Sequence, residues 1–111
     1  MDETEFLTLA EGSLNAIEAA LEKCTDVMDY DALRSGNVLE IELIDNGSKI
    51  IVNIQAAMQE IWVAARSGGF HYKHDGQVWR DTRDGGELFA ALSSMLSGQA
   101  GVQVVLAGAD Q

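Results

Sequence analysis

VLEIELIDNGSKIIVNI, residues 38–54, decides the fold. Leu39, Ile41 and Leu43 share one parity and Glu40 and Glu42 the other, and successive side chains of a strand point to opposite faces. The segment therefore predicts a strand with one apolar and one acidic face, its two carboxylates about 7 Å apart. Asn46-Gly47 follows, the dipeptide that a two-residue type I′ turn prefers because both central residues need positive φ. The chain then returns as the second arm of a hairpin.

The same parity rule works outward to QEIWVAA, residues 59–65. Ile61, Val63 and Ala65 fall on one side, and Glu60, Trp62 and Ala64 on the other. With the aliphatic set in the core, Trp62 stands in solvent beside Glu60, an uncommon place for an indole. Further strands are predicted at 70–73 and 77–81, separated by the turn signals Ser67-Gly68-Gly69 and Asp75-Gly76. Trp79 is assigned to the core and Val78 to the opposite face.

Upstream, Phe6, Leu9, Ala10, Leu14, Ile17, Ala20 and Leu21 recur at three- and four-residue spacing, which predicts an amphipathic helix. Asp2 and Glu5 have the spacing of a capping box, so the helix starts near residue 3. CTDVMDYDALRSG, residues 24–36, reads as an acidic loop closed by Gly36. ELFAALSSMLSG, residues 87–98, reads as a second amphipathic helix with Leu88, Leu92, Met95 and Leu96 inward and Gly98 near its end. The tail VQVVLA is too apolar to stand in water and is expected to pack against the helices. Helix, antiparallel meander, helix is the order of an α+β two-layer sandwich, with both helices on one face of the sheet and the other face open.

A chain of 111 residues with 47% hydrophobic content suits one domain over 1–111. No apolar run approaches the roughly 20 residues of a membrane span, and the acidic start MDETEF is unlike a signal peptide, so a cytoplasmic location is expected. The lone Cys24 rules out an internal disulfide and reads as a small semi-buried residue near a helix end. Net charge is −11, and most of the acids lie before residue 46, opposed there only by Lys23 and Arg34. Such a surface repels nucleic acid and anionic membrane and attracts basic protein patches or hard cations.

Three groups of residues could carry chemistry. Glu11, Glu18 and Glu22 lie in a narrow strip of helix surface, and Glu18 and Glu22, at i,i+4, repel by about 0.2–0.5 kcal/mol. The loop adds Asp26, Asp29 and Asp31, and the following strand adds Glu40 and Glu42, which together make an acidic ridge. Carboxylate oxygens suit hard cations such as Fe²⁺, Fe³⁺, Mn²⁺ or Ca²⁺, bound weakly where no loop encloses the ion. Trp62 is the second group, since tryptophan is enriched where proteins bind one another. The histidines are the third: His71 and His74 should not share a face, no structural zinc site is expected, and His71 is a candidate rim contact. Neither a nucleophile with its base nor a phosphate loop is visible, so the chain does not read as an enzyme.

NGSKIIVNIQ at 46–55, QEIWVAARSGGFHY at 59–72, Trp79 with Asp81, and GGELFAAL at 85–92 together resemble the frataxin family, over nearly the whole chain. The resemblance implies a frataxin-like α-β(5-6)-α sandwich and a role in iron–sulfur cluster assembly. It implies weakly bound iron, Fe²⁺ or Fe³⁺, and contact with a cysteine desulfurase, whose sulfur supply is modulated, and with the scaffold protein. By position Glu18, Glu22, Asp26, Asp29 and Asp31 match the family's metal-binding ridge, with Glu40 and Glu42 as nearby additions, and Trp62 matches its exposed sheet tryptophan. Asn53, Gln55, Trp62 and His71, with Glu40 and Glu42, are the expected partner contacts. Ala19, Lys23 and Val27 stand where the family often has acids. A non-catalytic monomer follows, with iron-driven oligomers left open; the rival readings are a ferroxidase that stores iron and a metal-independent acidic interaction module.

Overall fold

A computed structural model describes residues 1–107; residues 108–111, the end of the expected single domain, lie outside them. The order is α1 (Glu3–Glu22), β1 (Tyr30–Ser35), β2 (Val38–Leu43), β3 (Lys49–Gln55), β4 (Glu60–Ala65), β5 (Gly68–His74), β6 (Trp79–Asp81) and α2 (Leu88–Ala100). Every strand pairs antiparallel with the next, giving one six-stranded sheet in sequence order. This is the expected two-layer α+β sandwich. None of the described helices is long and apolar enough to cross a membrane.

The helix-side face holds Leu39, Ile41 and Leu43 of β2, Ile50, Val52 and Ile54 of β3, Ile61 and Val63 of β4, and Tyr72 of β5, all buried. Against them lie Phe6, Ala10, Leu14, Ile17 and Leu21 of α1 and Leu88, Leu92 and Leu96 of α2. Of the predicted α1 stripe only Leu9 is exposed. The capping box is present: Glu5 N donates to Asp2 Oδ1 at 2.8 Å, and Asp2 N to Glu5 Oε1 at 3.1 Å. Trp79 is core, edge-on to Phe6, and its indole N–H donates to Ser13 Oγ at 2.8 Å.

Tyr72 is 1% exposed, and burial, followed by the charges of Asp81, Asp84 and Glu87, pushes its phenol up to about 12. The folded value lies above the free one, so folding favours the neutral ring. The contribution is complete below pH 10 and is lost as pH rises from about 10 to about 12, on the order of 2–3 kcal/mol. An alkaline melt should therefore lose stability in that window, and Tyr72→Phe should flatten the loss. An unchanged alkaline slope in the variant would assign it elsewhere.

Three local expectations are corrected. Residues 30–35 form the edge strand β1 rather than loop; its exposed positions carry no apolar alternation, so nothing in the pattern announced it. The β2–β3 connection is five residues long, and only Gly47 has positive φ, at 70°. Asn46 instead uses its side chain, accepting from Ser48 N at 2.9 Å and donating to Gln99 O at 2.7 Å, which clips the hairpin to the end of α2. Gln59 precedes β4 in a left-handed conformation, φ 52°, and closes a turn on Ala56 O. Gly98 lies near the end of α2 as expected, and the cap is Gly101, φ 76°, whose N–H reaches Ser97 O.

The tail packs as expected, with Val104 and Leu106 buried. Two serines of α2 receive it: Ser97 Oγ accepts from Val104 N and Ser93 Oγ from Leu106 N, each at 2.8 Å. On its other side Cys24 Sγ lies 3.6 Å from Val105 O, and burial pushes this thiol up, as suits a packing residue.

Candidate functional site

Two surfaces follow from this frame. The first lies where the end of α1 passes the sheet edge. Tyr30, Ala32 and Arg34 of β1 share the helix-side face with Leu43, Ile41 and Leu39 through the register. At the centre of that row the short side chain of Ala32 leaves a trough of about 370 Å³, lined by Glu18, Glu22, Thr25, Met28, Asp29, Tyr30, Asp31 and Ala32. Four of the five predicted ridge acids meet there, while Asp26 does not line it.

The ridge is less uniform than its sequence. Glu18 is neutralised by Arg34, whose Nη1 donates to Glu18 Oε1 at 2.8 Å and is also 2.8 Å from Asn15 Oδ1. This pair relieves the i,i+4 repulsion with Glu22. Among the described residues Glu22, Asp26, Asp29 and Asp31 have no ion-pair partner, and burial together with the Glu22 charge pushes the Tyr30 phenol up. Glu40 and Glu42 lie on the open face, where the register sets Asp31 opposite Glu42, and Glu40 is paired with Lys49 at 3.2 Å. No three His, Cys, Asp or Glu side chains among the described residues are grouped closely enough to hold a metal ion. The donor set is all oxygen, water-accessible and spread out, which fits a hard cation held loosely through its own waters.

The second surface is the open sheet face. Val38, Asn53, Trp62 and His71 form one cross-strand row, with Gln55 and Glu60 paired beside it. Trp62 is on this face, as parity required, and is partly covered rather than bare. His71 stacks on it with ring centroids 4.3 Å apart and planes 7° from parallel. His74 takes the other face, edge-on to Trp79 at 5.0 Å.

Glu60 is where the sequence reading fell short. Expected in solvent, it is 5% exposed, covered by its neighbours. Trp62 Nε1 donates to Glu60 Oε1 at 2.7 Å; His71 Nδ1 lies 3.5 Å from the same oxygen, and Lys73 Nζ 3.4 Å from Oε2. The shared parity of Glu60 and Trp62 was visible in sequence. The cross-strand register that adds His71 and Lys73 was not.

Half-open sheet, acidic trough and aromatic row define a two-layer α+β domain whose charged and aromatic groups lie at its surface. The frataxin-like domain profile matches residues 1–102, and the chain belongs to the frataxin family. It is 63% identical to a protein of Janthinobacterium sp. (strain Marseille) named iron-sulfur cluster assembly protein CyaY, over 99% of this chain and 100% of that one. A protein of the same name from Bordetella pertussis is 53% identical over 94% and 96%. Frataxin from Psychromonas ingrahamii superposes with a TM-score of 0.85 at 31% identity, covering 96% of this chain and 99% of that one. Trimeric yeast frataxin, at 22% identity and a TM-score of 0.71 over 83% and 78% of the chains, shares the fold.

Proposed function

We propose that the protein is a non-catalytic, iron-binding adaptor of cytoplasmic iron–sulfur cluster assembly that regulates a cysteine desulfurase or delivers iron to the scaffold. Iron is cargo here. The names of its relatives support the pathway. The observation that carries the mechanism is the trough lined by Glu18, Glu22, Asp29 and Asp31. Its negative field attracts Fe²⁺ or Fe³⁺ and also a basic patch of the desulfurase, so metal and partner compete or cooperate on one surface. Asp26 extends this field along the loop. Across the open face Asn53, Gln55, Trp62 and His71, flanked by Glu40 and Glu42, supply a second contact, to the scaffold or desulfurase.

Anaerobic addition of Fe²⁺ to ¹⁵N-labelled protein tests the iron half of this reading. Paramagnetic broadening should concentrate at Glu18–Glu22 and Asp26–Ala32 and spare the Trp62 indole. Broadening centred on His71 or His74, or none at millimolar iron, would contradict it.

A further inference from the structure

Glu60 is a carboxylate removed from water on a sheet face otherwise open to it, and three neighbours converge on it. The indole N–H of Trp62 is taken at 2.7 Å, so this donor is already spent inside the protein. His71 Nδ1 lies 3.5 Å from the same oxygen, close enough for an electrostatic contact. Lys73 balances the charge from β5 while donating to Met58 O at 3.1 Å. The indole is consequently fixed from both ends, by the stacked imidazole and by its acceptor.

We infer that Glu60 is the positioning residue of the docking face: it locks Trp62 and His71 into one rigid pair that binds an apolar partner surface and asks no acceptor for the indole. This rests on the reading of the open face as a docking surface. A tryptophan whose rotamer is set before binding loses less entropy on association than a free one. Its remaining offer is ring surface, so the complementary patch presents aliphatic or aromatic side chains.

The test measures affinity for purified cysteine desulfurase carrying its scaffold, beside the Trp62 Nε1–H resonance. Glu60→Ala should shift and broaden that resonance and weaken binding about tenfold, whereas Glu60→Gln, which keeps an acceptor, should stay within about threefold. Glu60→Met, of similar volume without an acceptor, replaces alanine if alanine unsettles the sheet. Should Trp62→Ala weaken binding while Glu60→Ala and Glu60→Met do not, the positioning role falls and the docking face stands. If Trp62→Ala itself binds normally, both fall.

Discussion

Replacing Glu22, Asp29 and Asp31 together by lysine should lower desulfurase affinity about 100-fold at low salt while the melting temperature holds or rises. All three are ridge acids without an ion-pair partner among the described residues, so reversal breaks no internal contact. Each reversed charge facing a basic partner costs about 1 kcal/mol at an exposed surface. Three give about 3 kcal/mol, a factor of about 100. Stability moves the other way because like charges along one trough repel each other when the partner is absent. Glu18 is left in place deliberately: lysine there would face Arg34 and break the 2.8 Å ion pair, confounding a binding effect with a folding one. Surface plasmon resonance across a salt series reads the affinity, and the gap between wild type and variant should narrow as salt screens the field. Equal affinities at low salt would remove the ridge from the interface.

Ending the chain after Gly101 should produce the largest stability loss. Val104 and Leu106 are 2% and 4% exposed, and burying each aliphatic side chain contributes about 1.5–3 kcal/mol, so their removal costs about 3–6 kcal/mol. Against the 5–15 kcal/mol typical of a whole domain, that lowers the melting temperature on the order of 15 °C. The effect should reach the ridge as well. Cys24, at the root of the loop bearing Asp26 and Asp29, rests against the Val105 carbonyl, so amide exchange over 24–29 should quicken. Leu106→Ala alone should cost about 2–3 kcal/mol. A truncated chain that melts with the full one would show that the tail's packing contributes nothing.

Where burial alternates, sequence sufficed. Leu39, Ile41 and Leu43 against Glu40 and Glu42 placed β2, and Ile61 and Val63 against Trp62 placed β4, because one face is core and the other water. Strand β1 escaped for the converse reason: at a sheet edge Asp31, Ala32 and Leu33 are all exposed and leave no period to read. Asn46-Gly47 misled because the connection is five residues long and the Asn46 side chain, not a two-residue turn, organises it through Ser48 and Gln99. The acids of the ridge were legible as composition, but the Arg34 pair that silences Glu18 depends on a strand lying beside the helix. Likewise Glu60 looked like an ordinary surface charge until the register of β4 and β5 set His71 and Lys73 around it.

In the proposed function one acidic trough serves both iron and the desulfurase. An amide NMR titration of labelled protein with its own cysteine desulfurase, repeated after anaerobic Fe²⁺, tests it most directly. Both ligands should perturb the same residues, Glu18–Glu22 and Asp26–Ala32, and iron should alter the desulfurase affinity. Perturbation by the desulfurase elsewhere, with iron and partner binding independently, would contradict it.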